Sequence, residues 1–230
     1  MKPLSDDELA CLLKFIGYGS LSAPVWFLGM EEGGGGEDNL RQRLAFEAVE
    51  DCKKAHAKLG ITRFHGDRPR IQRTWRSMCY IMLSLGGQEP TTAAIRDYQA
   101  TKLGRSNGET LLAELMPIPK PRVSTWEYQS VIPQYSSRDD YYQSVLPQRT
   151  ELLRGLITTH CPSVVIAYGK RFWQEYQQLF PGAAFSAKDG FFMAQSNETC
   201  VVLCDHFTAR TMNGKLDSLV ELVCSQRAND

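Results

Sequence analysis

The sequence predicts an α/β fold in which helices cover both faces of a mostly parallel sheet. Short, continuously apolar segments alternate with longer segments whose apolar residues recur every three or four positions, as buried strands and amphipathic helices require. Hydrophobic residues make up 43% of the 230 residues, which is enough to bury a substantial core. Because no internal repeat or linker interrupts the pattern, we expect a single domain over residues 1–230.

The first half of the chain predicts one buried strand among several helices. Ser5 and Glu8 have the spacing of a capping box, which predicts a first helix from about residue 6. The apolar run over residues 25–29 predicts a strand that is covered on both faces. Apolar periodicity predicts the helices that follow, over residues 40–59, 71–85 and 91–100.

The second half of the chain supplies the remaining predicted strands. Apolar segments predict them over residues 111–116, 164–168 and 201–204. Helical periodicity predicts helices over residues 139–160, after Gly169 and after Gly214. The segment PIPKPRVSTWEY, residues 117–128, is predicted to be irregular because proline cannot donate a backbone hydrogen bond.

The composition narrows the functional class. A formal net charge of zero and a pI near 6.9 argue against a dedicated high-affinity nucleic-acid binder, but not against a local basic patch. No apolar run has transmembrane length and the N-terminal segment does not resemble a signal peptide, so we expect a cytoplasmic protein without a membrane partner. The 7 scattered cysteines predict buried thiols rather than disulfides.

We expect no metal site and no cofactor. Cys200, Cys204 and His206 are close in sequence, but along an extended strand they would lie about 7–13 Å apart, too far to hold one ion. No second pair of cysteines or histidines completes a ligand set near them.

The predicted topology brings polar residues to one edge of the sheet. Ligands of parallel α/β sheets bind beyond the carboxyl ends of the strands. Three segments should meet there: residues 30–36, 117–128 and 205–214. The sequence therefore predicts a ligand site built from these loops.

Adjacent carboxylates occupy the first of these loops, in the segment VWFLGMEEGGGG. Glu31 and Glu32 either are solvated acids at a helix start or activate water or ligate a metal. The glycine run that begins at Gly33 either is a flexible turn or lets the backbone approach a ligand closely. It matches neither a P-loop nor a dinucleotide-binding fingerprint.

Other polar and aromatic residues allow both a structural and a functional interpretation. His206 follows a strand directly and either satisfies local hydrogen bonds or acts in catalysis. The segment RFHGDRPRIQRTWR is the densest basic cluster and either is solvated or contacts phosphates; its arginines are Arg63, Arg68, Arg70, Arg73 and Arg76. Trp126, beside Lys120 and Arg122, either anchors a loop or stacks on a base.

Three segments in this order resemble the uracil-DNA glycosylase superfamily: APVWFLGMEEG, HCPSVVIAYGK and VVLCDHFTAR. They extend over most of the chain, from about residue 14 to residue 225. The resemblance implies a three-layer α/β/α sandwich around a four-stranded, mostly parallel sheet. It also implies an enzyme that flips a base out of DNA and cleaves its N-glycosidic bond without a metal. A carboxylate then stabilises the positive charge of the sugar and orients water.

The resemblance also implies roles for particular residues. Glu31 falls where the family's water-orienting acid stands, Glu32 falls on a loop proline, and His206 falls on the motif histidine that stabilises the departing base. Thr208 falls on a motif serine. The remaining implied contacts with base or DNA are Phe27, Met30, Glu114, Arg210 and Met212.

The sequence also departs from the family pattern. The first loop of this chain has glycines and lacks the proline of the family motif. In the second motif, Phe207 stands at the position of the family's proline. Glu114 replaces a base-reading amide; if ionised, it would repel a carbonyl of uracil and favour an exocyclic amine. A divergent enzyme with DNA as its partner, and with no evident obligate protein partner, is therefore the leading expectation.

Two other functions stay open at this point. One is a non-catalytic module that binds a nucleic acid or nucleotide at the same edge of the sheet. The other is a metal-dependent hydrolase that uses Glu31, Glu32, Asp205 and His206, since carboxylates beside an imidazole can bind Mn²⁺ or Zn²⁺.

Overall fold

A computed structural model describes residues 2–122 and 124–227, except the side chains of residues 226 and 227. The strands are β1 (Gly17–Gly19), β2 (Val25–Gly33), β3 (Val49–Glu50), β4 (Thr110–Lys120), β5 (Val164–Tyr168), β6 (Ser186–Lys188), β7 (Phe191–Ser196) and β8 (Thr199–Cys204). The helices are α1 (Asp6–Leu13), α2 (Glu37–Arg43), α3 (Cys52–Lys58), α4 (Arg73–Leu85), α5 (Thr92–Thr101), α6 (Arg138–His160), α7 (Trp173–Gln177) and α8 (Leu216–Arg227).

Within the described residues, the strands form one mixed, eight-stranded sheet in the order β3-β1-β4-β2-β5-β8-β7-β6. Its middle is parallel, because β2 pairs in parallel with both β4 and β5, and β5 pairs in parallel with β8. The predicted α/β class is confirmed. The predicted four-stranded sheet is wrong, although the strands that the sequence identified form this parallel middle.

The strands that the sequence did not predict extend the sheet at both edges. On one side β1 lies antiparallel to β4, and on the other β7 lies antiparallel to β8. A side chain at Gly17 would overlap the backbone oxygen of Leu112, so this edge strand depends on glycine. Because β1 is short and rich in glycine, it carries no apolar alternation by which a sequence pattern could identify it.

Both faces of the sheet are covered by a hydrophobic core. Along β2, Val25 and Phe27 belong to one buried cluster, and Trp26, Leu28 and Met30 belong to the other. The first cluster includes residues of α3, α4, α5 and α8, and the second includes residues of α1, α2, α6 and α7. The alternation ends near Glu31, where the pairing of β2 with β4 shifts register; Glu31 then points to Tyr142 on the face of Met30, and Glu32 points to Tyr18 on the opposite face.

Several helices begin and end as the sequence predicts. The capping box of α1 forms, since Ser5 Oγ accepts from the backbone of Glu8 and the Glu8 carboxylate accepts from the backbone of Ser5. Helices α4, α5, α6 and α8 lie where apolar periodicity placed them. No helix in the described part of the chain combines the length and the apolar character needed to cross a bilayer.

The predicted helix over residues 40–59 is wrong, because the chain breaks there into α2, β3 and α3. Val49 and Glu50 pair with β1 instead of continuing a helix. Asp51 then caps α3, with its side chain accepting from the backbone N–H of Lys54. Strand pairing and a new N-cap outweigh the apolar period in this segment.

The irregular segment predicted over residues 117–128 is also wrong in part, because β4 continues to Lys120. The backbone N–H of Ile118 donates to the hydroxyl of Tyr141, and the hydroxyl of Tyr128 donates to the carbonyl of Pro119. Side-chain hydroxyls therefore pair with backbone groups of a segment in which the prolines have no N–H to donate. Residue 123 of this segment lies outside the described residues.

Candidate active-site cavity

A cavity of about 580 Å³ lies at the carboxyl ends of the parallel strands, which is the size range of small-ligand sites. The end of β2 contributes residues 30–33 to its wall. Strand β4 contributes Glu114 and Lys120, β5 contributes Tyr168, and the segment after β8 contributes His206. Glu31 and His206, which are 175 positions apart (206 minus 31), therefore line the same cavity.

The Glu31 carboxylate is fixed through one of its two oxygens. Oε2 accepts from the hydroxyl of Tyr142 at 2.7 Å and lies 3.0 Å from Nζ of Lys120. Oε1 is buried and has no hydrogen-bond partner among the described residues. Glu31 is thus a firmly held carboxylate that lines the cavity but is almost fully withdrawn from solvent.

Lys120 neutralises Glu31 from inside the protein. Its side chain is fully buried, and Nζ also lies 4.8 Å from the ring centroid of Tyr142. Burial lowers the pKa of Lys120, although the Glu31 carboxylate opposes that shift. The extension of β4 past its prolines is what brings the ammonium group to the end of β2.

Glu32 points to the other side of β2 and has its own partners. Its Oε2 accepts from the hydroxyl of Tyr18 at 2.8 Å and lies 2.9 Å from Nη2 of Arg43. Arg43 is buried, and its Nε donates to Asn39 at 2.7 Å. The interpretation of both glutamates as solvated acids at a helix start is therefore wrong, since each is ion-paired to a buried cation.

Glu114 brings a third carboxyl group to this cavity. Its Oε2 is buried without a hydrogen-bond partner among the described residues, and its Oε1 lies 3.4 Å from the hydroxyl of Tyr168. Burial raises the pKa of Glu114 well above its ordinary value, and repulsion from Glu32 and Glu31 adds to the shift. This environment favours the neutral acid over the ionised form, which would repel a carbonyl of uracil.

Gly29 makes room for this arrangement. A Cβ at that position would overlap both Oε2 of Glu114 and the hydroxyl of Tyr168. Glycine in β2 therefore leaves room for the ends of these two side chains, which a larger residue would push aside.

The glycine run, residues 33–36, is hydrogen-bonded to the end of β4 and to Tyr128. The N–H of Gly34 donates to the carbonyl of Lys120, and the N–H of Gly36 donates to the hydroxyl of Tyr128 at 3.0 Å. Gly34, Gly35 and Gly36 all have positive φ, and a Cβ at Gly35 would overlap the Tyr128 hydroxyl. The run is a closely packed turn that lets the chain leave β2 beside Lys120.

His206 also lines the cavity; it lies beside the ring of Tyr168, with centroids 5.5 Å apart, and is exposed. The Thr208 N–H donates to Nδ1 of His206 at 3.3 Å, and the Thr208 hydroxyl lies 2.8 Å from the same nitrogen. The protein around the ring lowers the pKa of His206 by desolvation. Since Nδ1 accepts, the neutral ring carries its proton on Nε2, which is left as a donor.

The far end of the cavity is aromatic. His56, Phe64 and Trp75 line it, and the rings of His56 and Trp75 stack with centroids 5.3 Å apart. Nδ1 of His56 and Nε2 of His65 are 2.9 Å apart. Desolvation lowers the pKa of His56 to about 3 and that of His65 to about 4, so both rings are neutral.

The structure brings together only some of the residues that the sequence singled out. Those that line the cavity are Met30, Glu31, Glu32, Gly33, Glu114, Lys120, Arg122 and His206. Thr208 does not line it but holds the ring of His206. Arg63, which the sequence placed in its basic cluster, also lines the cavity.

Four predicted ligand contacts lie in places that do not support the expected role. Phe27 and Met212 are buried in the hydrophobic core, so neither presents a surface to a base or duplex. Trp126 stacks on Tyr141 at 4.9 Å and donates its indole N–H to the carbonyl of Tyr135. The Lys120 side chain is fully buried, and its ammonium group is paired with Glu31. In each case the sequence pattern could not distinguish a packed side chain from an exposed one.

The remaining basic residues lie on the surface outside the cavity lining. They are Arg68, Arg70, Arg73, Arg76 and Arg210, and all are exposed. Their contact with phosphates stays a prediction.

Several residues of the site carry no motif that would have identified them. Tyr18, Arg43 and Tyr142 reach the glutamates from β1, α2 and α6, and only the folded chain brings them there. Tyr168 is different, because it ends a predicted strand and so occupies the edge at which ligands bind.

Comparison with known protein families and curated proteins identifies no relative of this chain. No protein-family model matches this chain, and a search of curated proteins finds no significant match. The site must therefore be interpreted from its own geometry.

Proposed function

We propose that this protein is a divergent member of the uracil-DNA glycosylase superfamily that cleaves the N-glycosidic bond of a base flipped out of DNA. The observation that carries the proposal is the Glu31 carboxylate, which lines a cavity of about 580 Å³, is held through Oε2 and has no protein partner at its buried Oε1. A carboxylate beside the sugar can stabilise the positive charge that develops there, and it can orient water once Oε1 is opened to the cavity. The parallel strands β4, β2, β5 and β8 fit the sheet that the family resemblance implies.

His206 is suited to the departing base. A leaving base accumulates negative charge, and a donor fixed in advance stabilises that charge without reorganising. Thr208 occupies Nδ1 of the ring, so the N–H at Nε2 is available to a base oxygen. In this proposal Thr208 is a positioning residue and His206 touches the substrate.

Glu114 is suited to the edge of the base. A neutral carboxyl group has one donor and one acceptor side by side, as a primary amide does. It can therefore pair with a lactam edge, which presents an N–H beside a carbonyl oxygen. Uracil and hypoxanthine present that edge, and cytosine and adenine do not.

The test is base release from oligonucleotides that carry uracil, hypoxanthine, cytosine or adenine, in single and double strands, followed by mass spectrometry. We expect release of a lactam base by the wild type and a loss of about a hundredfold or more in Glu31→Gln, typical of removing a group that stabilises transition-state charge. Glu37→Gln is the control, because Glu37 pairs with Arg41 on α2 and does not line the cavity. Equal rates for Glu31→Gln and wild type would remove Glu31 from the mechanism.

A non-catalytic binding module is the second candidate. The ion pairs of Glu31 with Lys120 and of Glu32 with Arg43 favour this candidate, because ion-paired carboxylates can stabilise the wall of a binding cavity without taking part in catalysis. DNA binding that weakens steeply with salt, together with no base release from any substrate of the panel, would select this candidate.

The same ion pairs do not favour a metal-dependent hydrolase at this end of the cavity. Glu31 and Glu32 are already neutralised by cationic side chains and diverge from each other on β2. They therefore do not form a carboxylate pair around a common point.

A further inference from the structure

A sulfur and two imidazoles meet beside the aromatic end of the cavity. Cys52 and His56 are four positions apart on α3, and His65 comes from the segment between α3 and α4. Among the described residues, one ligand atom from each of these three side chains lies within 4.8 Å of the others. We propose that Cys52, His56 and His65 form a binding site for one Zn²⁺-like ion.

The spacing follows from helix geometry. Residues i and i+4 lie one above the other on a helix, so the side chains of Cys52 and His56 project from the same face of α3. His65 then returns over that face, and its Nε2 lies 2.9 Å from Nδ1 of His56. A helix face thus supplies two ligands and a loop supplies the third.

The proposed ligands are withdrawn from solvent. Cys52 and His56 are buried, and Nδ1 of His65 is buried without a hydrogen-bond partner among the described residues. Because Nε2 is the nitrogen of His65 that faces His56, Nδ1 can carry the ring proton when Nε2 binds an ion. One thiolate and two imidazoles are ligands that Zn²⁺ prefers.

The fit requires a small rearrangement. Bonds of about 2.3 Å to sulfur and about 2.0–2.1 Å to nitrogen in a tetrahedral site place the donor atoms roughly 3.3–3.7 Å apart. The imidazoles must therefore move apart slightly and the sulfur must move closer, which rotations of these side chains supply. Binding displaces the proton of the Cys52 thiol to solvent, and no electron transfer is involved.

Such an ion would fasten one wall of the cavity. It would join α3 to the segment that carries Arg63 and Phe64, both of which line the cavity with His56. Three protein ligands leave a fourth coordination position for water or another group. The proposal is independent of N-glycosidic bond cleavage at Glu31, and the two can fail separately.

The test is Co²⁺ and Zn²⁺ binding to the full-length protein under reducing conditions. We expect one equivalent of Co²⁺, with a thiolate-to-metal charge-transfer absorption and the visible bands of a tetrahedral site. We expect Zn²⁺ to displace the Co²⁺ and to raise the melting temperature, because binding to the folded state alone stabilises it. These readouts need no enzymatic activity.

Cys52→Ser should abolish the charge-transfer absorption, and His65→Asn should weaken binding by about tenfold or more. Cys79→Ser is the matched control, since Cys79 is as deeply buried and does not belong to the three-residue cluster. Circular dichroism establishes that each variant is folded. If Cys52→Ser does not fold, the wild-type absorption and the His65→Asn affinity decide. Wild-type protein that binds no Co²⁺, or variants that bind it as the wild type does, would overturn the proposal.

Discussion

Nζ of Lys120 lies 3.0 Å from Oε2 of Glu31, and neither side chain is more than 2% exposed. A buried cation beside a buried carboxylate compensates a desolvation cost that neither group could bear alone. The pair joins the end of β4 to the end of β2 and fixes the direction in which Oε1 of Glu31 faces. In the proposed function, Lys120 therefore acts by positioning and neutralising Glu31.

Replacing Lys120 by methionine should destabilise the protein strongly, because it leaves the buried Glu31 carboxylate without its cation. We expect a loss of about 3–5 kcal/mol in the free energy of unfolding, as for other broken buried ion pairs. Urea denaturation of Lys120→Met measures it. The double variant Lys120→Met/Glu31→Gln should recover much of the loss, and no recovery would show that the ion pair is not the cause.

Replacing Glu114 by glutamine should change stability in a pH-dependent way. The pKa of Glu114 is raised in the folded state, so the folded protein holds a proton that the unfolded chain releases above about its ordinary value of 4.5. Wild-type stability from this group is fully present below pH 4.5 and is lost as the pH rises towards the raised folded-state pKa.

Glu114→Gln has no carboxyl group at this position and therefore lacks this loss. Its free energy of unfolding should rise relative to that of the wild type as the pH rises from 4.5 to 8. Urea denaturation of both proteins at each pH measures this difference. Glu127→Gln, which changes a carboxyl group outside the cavity lining, is the control. A stability difference that is constant across this range would contradict a raised pKa for Glu114. If the proposed function holds, Glu114→Gln should also retain release of lactam bases, whereas Glu114→Leu should abolish it.

Replacing Gly29 by alanine should displace Glu114 and Tyr168, since the new methyl group would overlap both side chains. Overpacking of this kind costs about 1–3 kcal/mol. Thermal and urea unfolding measure the cost. Gly33→Ala is a matched control on the same strand, because a Cβ there meets no atom within 4 Å. Equal stability of the two variants would mean that the strand adjusts and that Gly29 is not sterically required.

If the proposed function holds, replacing Arg63 or Arg122 by glutamine should weaken DNA binding, since both are exposed and line the cavity. Removing one arginine–phosphate interaction should reduce the slope of log affinity against log salt by about 0.9 for duplex DNA and about 0.7 for a single strand. Fluorescence anisotropy at several salt concentrations measures the slope. Arg154→Gln on α6 is the control, because Arg154 is engaged with Glu151 and Gln178. If the slope changes equally in all three variants, Arg63 and Arg122 make no specific contact with DNA phosphates.

The local pattern of the sequence was sufficient for the parallel middle of the sheet. Residues 25–29 and 164–168 are short apolar runs that can be buried on both faces, and they form the adjacent strands β2 and β5. The same reasoning failed over residues 40–59, where an apolar period suggested one helix. Pairing of Val49 and Glu50 with β1 is a long-range interaction, and no local pattern records it.

The sequence by itself determined the α/β class, the middle strands and the position of Glu31 and His206 at strand ends, because those features follow from the local spacing of apolar residues. Tertiary structure alone decided that Lys120 neutralises Glu31, that Glu114 favours its neutral form and that Phe27 and Met212 are core residues. The physical reason is that ionisation and burial depend on which groups meet in space. Those meetings join residues that lie tens of positions apart in the chain.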